Sequence, residues 1–218
     1  MPSETIKQPL NLFIMSTVSI YNLIILDESG SMDCIRKNAL SGINETLQSI
    51  RSTQKEQPEL QQYVSIVTFS GSGLEGVRVR RDRVRVDRIQ DLTLTDYRPN
   101  DCTPLYDAIG KSVNDLKENI LKEDKVLVTI ITDGLENSSC RFRLCDIRSL
   151  VFSLREMGWT FSFIGANQDS VLTAREMDIE NALDFDCTPE GISHMSRKLS
   201  QAQYRFSCLV HRNIVSNR

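Results

Sequence analysis

Oxygen donors gather at three points of this chain. The first is Asp27-Glu28-Ser29-Gly30-Ser31, where a carboxylate and two hydroxyls alternate over five residues. The second is Thr103, within Asp101-Cys102-Thr103-Pro104, and the third is Asp133, within Thr132-Asp133-Gly134. Carboxylate and hydroxyl oxygens are hard donors, the kind a magnesium-type ion takes. Three of the five groups are neutral hydroxyls, so an ion held this way stays electron-poor and should seek a further anion. Mg2+ suits the set, and Mn2+ or Ca2+ would also be accepted. Either serine alone reads equally well as a helix cap, because serine favours helix starts. The metal reading rests on all five positions converging.

The elements that must position these groups follow from hydrophobic patterning. Residues 18–26 are a nearly continuous apolar run, as in a strand buried on both faces, and the run ends at Asp27. Residues 33–54 carry Ile35, Ala39, Ile43, Leu47 and Ile50 at helical spacing, with Pro58 closing the segment. Residues 63–69 read as a second strand and 70–73 as a loop. In 76–89, valine and arginine alternate around Arg81-Asp82, which predicts a hairpin or an edge strand. A loop over 91–102 leads to Thr103-Pro104, and proline at the first helical position marks a helix start. A buried strand over 126–132 ends at Asp133-Gly134. Helices over 143–157, 169–176 and 189–207 and strands over 159–165 and 181–186 complete the pattern. Alternating strands and helices predict an α/β fold: a doubly wound, mostly parallel central sheet with one antiparallel edge strand. In such sheets ligands bind at the carboxyl ends of the strands, where Asp27 and Asp133 fall.

This arrangement resembles the metal-ion-dependent adhesion site of von Willebrand factor A domains. That family's pattern is Asp-x-Ser-x-Ser, then a distant Thr, then a distant Asp, and Asp27, Ser29, Ser31, Thr103 and Asp133 match it in order. Met32 after the first motif, the TPLYDAI helix start and the TDG turn extend the likeness over about residues 17–208. The resemblance implies that Ser29 and Ser31 bind the ion through their hydroxyls and that Thr103 binds directly in a high-affinity arrangement. It implies direct or water-mediated roles for Asp27 and Asp133. A protein partner's Asp or Glu carboxylate would complete the octahedron. Cys102 stands where the family often has glycine, which bears on the loop's conformation and not on the ligand. Intracellular relatives of this kind serve as adaptors or scaffolds, for instance beside ATPases or kinase and phosphatase modules, without catalysis of their own.

Two rival functions are weaker. A magnesium-dependent phosphohydrolase with Asp27 as nucleophile would want a second carboxylate where Ser29 stands, and no well-placed lysine or second metal set accompanies it. Asp101 and Glu136 could act as bases but read more simply as solvated loop carboxylates. No phosphate-cradling glycine motif is present. An exported adhesion module lacks the expected signal segment.

Arg78, Arg80, Arg81, Arg83, Arg85 and Arg88 form the other conspicuous cluster, offset by Asp82 and Asp87. They could form a patch for an acidic partner, or a charged edge that blocks strand-to-strand aggregation. No aromatic residue interleaves them, so base stacking is unsupported and nucleic acid is not an expected partner.

A net charge of -3 and 25% charged residues fit an ordinary globular domain with no demand for a polyanion. No run approaches the roughly 18 apolar residues of a membrane span, so no membrane partner is expected. The cysteines at 34, 102, 140, 145, 187 and 208 are scattered, with no zinc-like pairing, and read as reduced thiols in a cytoplasmic protein. Cys34 and Cys102 flank the oxygen cluster and read as small fillers. Residues 1–16 read as a tail, with Met15 a plausible true start, and 17–210 as one domain.

Overall fold

The computed structural model describes residues 18–166, 170–186 and 188–216; the expected tail and Cys187 lie outside them. The strands are β1 (Ser19–Asp27), β2 (Gln61–Phe69), β3 (Val77–Arg85), β4 (Lys125–Thr132), β5 (Thr160–Ala166) and β6 (Asn181–Phe185). The helices are α1 (Arg36–Glu56), α2 (Leu105–Lys117), α3 (Leu144–Glu156), α4 (Ser170–Glu176) and α5 (Pro189–Ser216). One six-stranded sheet runs β3-β2-β1-β4-β5-β6. All neighbours are parallel except β2 and β3. This is the expected doubly wound α/β architecture with an antiparallel edge.

β1 is apolar throughout because both of its faces are covered. Leu23 and Ile25 join Val67, Phe69, Val128 and Ile130 beneath Ile109 and Val113 of α2 and Val151 of α3. Ile24 and Leu26 join Ile66 and Ile131 beneath Ile43 and Leu47 of α1 and Met195 and Leu199 of α5. Each such side chain contributes roughly 1.5–3 kcal/mol on burial, so β1 is pinned from both sides. A methyl at Gly42 would lie 2.3 Å from Ser196 Oγ, so glycine is what lets α1 and α5 cross this closely. The register sets Asp27 opposite Phe69 and Leu26 opposite Ile131, which brings the carboxyl ends of β1, β2 and β4 level.

Two local expectations shift, and of the hairpin or edge strand expected over 76–89 the edge strand forms. A short 3-10 helix over Gly30–Ile35 precedes α1, which begins only at Arg36. Residues 77–85 form one edge strand and no hairpin; Arg81 pairs with Ile66 of β2, and a register shift on each side of that pair absorbs the broken valine–arginine alternation. α5 continues to Ser216, past residue 207, because Val210 still packs against Ile20 and Leu60.

The segment expected as a loop over 91–102 is irregular but packed. Leu92 and Tyr97 are core residues, and Asn44 of α1 brackets Leu92 with two backbone hydrogen bonds of 2.9 Å. Arg36 donates to the carbonyls of Leu94 and Tyr97. This segment delivers Thr103 to the sheet's carboxyl end. Among the described residues no helix is long and apolar enough to cross a membrane.

Candidate metal centre

β1 ends by burying a carboxylate. Asp27 is fully buried; its Oδ1 accepts the Ser29 N–H at 2.7 Å and its Oδ2 accepts the Thr132 hydroxyl at 2.5 Å. Thr132 is the last residue of β4, so the two central strands are joined at their tips through this carboxylate. The Tyr97 hydroxyl donates to the Asp27 carbonyl at 2.7 Å and closes the site from below.

The turn after β1 brings both serine hydroxyls toward β4. Ser29 Oγ and Ser31 Oγ lie 3.2 Å apart, and Ser31 Oγ donates to Asp133 Oδ1 at 2.6 Å. Thr103 is held by its backbone, its N–H donating to Asn137 Oδ1 at 2.8 Å and its carbonyl accepting the Asn137 N–H at 3.2 Å. Its hydroxyl has no hydrogen-bond partner among the described residues.

Gly134 marks the gap between these groups. A methyl there would lie 3.2 Å from Thr103 Oγ1 and 3.8 Å from Asp27 Oδ2. Thr103 Oγ1 and Asp27 Oδ2 therefore face the same side of Gly134, and a side chain there would crowd the threonine hydroxyl. The structure thus gathers Asp27, Ser29, Ser31 and Asp133 by hydrogen bonds, and Thr103 across Gly134.

The electrostatics of this cradle are those of a site short of positive charge. Burial pushes the Asp27 carboxyl up to about 6, against the opposing pull of the hydrogen bonds from Thr132 and Ser29, and the Asp133 charge adds to the rise. Burial raises Asp133 as well. Among the described residues no basic side chain pairs with either carboxylate. Two carboxylates and three hydroxyls around a small gap fit a hard divalent cation. Among the described residues no three His, Cys, Asp or Glu side chains converge on one point, and three of the five candidate donors are neutral hydroxyls.

Glu28 points away from the cradle. Its carboxylate is buried, and Arg80 Nη2 reaches its two oxygens at 2.9 and 2.7 Å. Arg78 approaches at 3.5 Å, and the Arg98 N–H donates at 2.5 Å. The arginine cluster accordingly divides. Arg78 and Arg80 turn inward onto Glu28, while Arg81 reaches Asp96, Arg83 pairs with Asp82 and Arg85 with Asp87. Five of the six are thus engaged by this chain's own carboxylates.

Glu136 is not the solvated carboxylate expected from sequence. It accepts the N–H groups of Tyr106, Ser138 and Ser139 and the Ser139 hydroxyl, and so shapes the loop that carries Asn137. Asp101 is exposed and adopts the left-handed region at φ 64°, a conformation non-glycine residues seldom take. Its carbonyl accepts the Gly30 N–H at 3.0 Å, tying the first motif to the Thr103 segment. Cys34 and Cys102 are exposed rather than packed as fillers. Sequence reasoning missed Thr132, Tyr97 and Asn137. Thr132 had a visible signal, a hydroxyl at the tip of a buried strand; Tyr97 and Asn137, in loops, had none.

Known structures identify the fold. A pilus adhesin, SpaC from Lactobacillus rhamnosus GG, superposes with a TM-score of 0.66 at 11% identity, over 87% of this chain and 30% of that one. A von Willebrand factor type A protein from Catenulispora acidiphila gives 0.62 at 16%, over 86% and 43%. Proximal thread matrix protein 1 from the mussel byssus, with a zinc-occupied metal-ion-dependent adhesion site, gives 0.55 at 12%, over 86% and 46%. The chain spans about a third to a half of each of these longer proteins. No protein-family model and no curated protein matches the sequence. The chain has the von Willebrand factor A fold, and its structural neighbours include a pilus adhesin and a thread matrix protein with zinc at its metal-ion-dependent adhesion site.

Proposed function

We propose that this chain is a metal-dependent protein-binding module. In this reading Asp27, Ser29, Ser31, Thr103 and Asp133 hold a divalent cation, Mg2+ in the first instance, and a partner's Asp or Glu carboxylate completes its coordination. The observation that carries the reading is the gathering of Asp27, Ser29, Ser31 and Asp133 by hydrogen bonds, with the Thr103 hydroxyl, which has no hydrogen-bond partner among the described residues, facing the same side of Gly134 as Asp27. When bound, the ion supplies Lewis acidity toward an incoming anion. The chain's own residues orient the donors: Thr132 fixes Asp27, Asn137 fixes Thr103, and Ser31 fixes Asp133.

The role is one of binding, not catalysis. A phosphohydrolase with Asp27 as nucleophile would want a second carboxylate where Ser29 stands. The five described cysteines are free thiols, four of them exposed, which suits an adaptor in a reducing, cytoplasmic setting. The decisive experiment is calorimetric titration of the metal-stripped protein with Mg2+ and Mn2+, followed by partner capture with and without EDTA. Capture that ignores both EDTA and Ser29→Ala would overturn the metal bridge, and phosphoester turnover lost in Asp27→Asn would favour the enzyme.

A further inference from the structure

The most unusual stretch of this sequence, the arginine-rich strand β3, meets the candidate metal centre at one residue. Glu28 sits between two proposed ligands, Asp27 and Ser29, yet its carboxylate leaves the cradle and forms an ion pair with Arg80 and Arg78, the carboxylate buried and the two arginines partly exposed. We infer that Glu28, clamped by Arg80, is a positioning residue that holds the Thr103 segment in register with Ser29 and Ser31 and thereby sets the site's affinity for its ion. This rests on the metal-site reading proposed above.

The bonds radiating from Glu28 support this role. Its N–H donates to the Phe69 carbonyl at 2.8 Å, fixing it to the tip of β2. Its carbonyl accepts the Asn100 N–H at 2.9 Å, and its Oε1 accepts the Arg98 N–H at 2.5 Å. Arg78 extends the same junction by donating to Ser70 Oγ at 2.8 Å, and Ser70 Oγ donates to Asn100 Oδ1 at 3.1 Å. Immediately downstream the Asp101 carbonyl accepts from Gly30, and the Cys102 carbonyl accepts from Gly71 at 2.9 Å. The backbone from Arg98 to Cys102 is therefore tied to the tips of β1 and β2 just before Thr103. Much of that tie passes through Glu28.

Fold stability alone does not account for such a pair. Burying a carboxylate beside partly exposed arginines carries a desolvation cost that their attraction need not repay, so the pair is weak support for a purely stabilising role. Geometry supplies a better reason. One guanidinium nitrogen, Arg80 Nη2, meets both oxygens of the carboxylate while Nε is held elsewhere, which fixes orientation as well as distance. Groups one step behind metal ligands commonly tune affinity by about 10–100-fold. Arg80 is itself oriented, donating from Nε to Thr68 Oγ1 at 2.9 Å. The chain thus continues from β2 through Arg80 and Glu28 to the Thr103 segment.

The test is a double-mutant cycle on Mn2+ binding by the whole chain, read by calorimetry, with thermal melts in EDTA as a separate measure of the metal-free fold. Arg80→Met and Glu28→Gln should each weaken Mn2+ binding by about 10–100-fold while the EDTA melts stay cooperative. The double variant should bind no worse than the weaker single one, because the two groups act as a unit. Arg80→Lys, which keeps the charge but loses the Nε bond to Thr68 that orients the clamp, should show a several-fold loss and serves if Arg80→Met fails to fold. Folded Arg80 variants with wild-type Mn2+ affinity, or losses that simply add, overturn the positioning role. Ser31→Ala separates the two readings. If wild type binds Mn2+, Ser31→Ala does not and the Arg80 variants match wild type, the clamp alone is overturned. If wild type fails to bind, or Ser31→Ala binds as wild type does, the metal site falls and the clamp with it.

Discussion

Ser31 donates its hydroxyl to Asp133 at 2.6 Å, joining the turn after β1 to the tip of β4 across 102 residues of chain. Ser31 is exposed, and its bond to Asp133 costs little to remove because water can replace it. Ser31→Ala should therefore change metal-free stability by no more than about 0.5–1 kcal/mol. It should nonetheless abolish Mn2+ binding in calorimetry and partner capture in Mg2+. A variant that still binds Mn2+ as wild type does would remove Ser31 from the donor set.

Gly134→Ala offers a cleaner probe of the gap. The change needs no unusual backbone angle, since Gly134 is not among the positive-φ glycines. Its methyl would enter the space 3.2 Å from Thr103 Oγ1. Urea unfolding in EDTA should shift by about 1 kcal/mol or less, whereas Mn2+ affinity should drop at least about tenfold. Undiminished affinity would place the ion elsewhere.

The metal-free protein should lose stability as pH rises from the ordinary carboxylate range toward neutrality. In the folded chain Asp27 titrates at about 6, against about 3.9 in an unfolded one. Between these values the folded state binds more protons, so stability falls with rising pH; the contribution is complete below about 4 and gone above about 6. The size is on the order of 3 kcal/mol, and the raised Asp133 acts in the same direction. Urea titrations in EDTA should show this slope for wild type and a flatter one for Asp27→Asn. Matching slopes would refute it. At neutral pH, Mg2+ at a hundred times its dissociation constant should restore about 2.7 kcal/mol.

Thr132→Val keeps the shape of a fully buried side chain and removes its hydroxyl. The lost bond to the Asp27 carboxylate is charge-assisted, so a destabilisation of about 1.5–3 kcal/mol is expected, with weaker metal binding. Chemical denaturation with and without Mn2+ measures both; an unchanged midpoint would make the 2.5 Å contact energetically idle.

Arg83 and Arg85 pair with Asp82 and Asp87 on the exposed edge strand. Exposed pairs contribute little, so Arg83→Gln and Arg85→Gln should each cost less than about 1 kcal/mol. If partner capture nonetheless collapses in these variants, the edge strand belongs to an acidic partner's docking surface.

The order of strands and helices was legible from residue types alone. A run such as 18–26 can be apolar at every position only if both of its faces are buried, and that condition places it in the middle of a covered parallel sheet. The five candidate oxygen donors were legible because each stands near the point where a patterned element stops or starts. Tyr97 and Asn137 were not, since irregular segments carry no period from which a side chain's direction can be read. Glu136 looked like a solvent-facing charge for the same reason.

Residue order and type therefore settled the sheet, its covering helices and the candidate donors, because local periodicity and strand-end chemistry are properties of short stretches. Folding settled which donors meet. Ser31 and Asp133, Thr103 and Asp27, and Glu28 and Arg80 are far apart in the chain, and their encounters depend on strand register and on the path of the packed segment before Thr103. The raised Asp27 carboxyl is likewise a consequence of burial, which no isolated stretch of sequence carries.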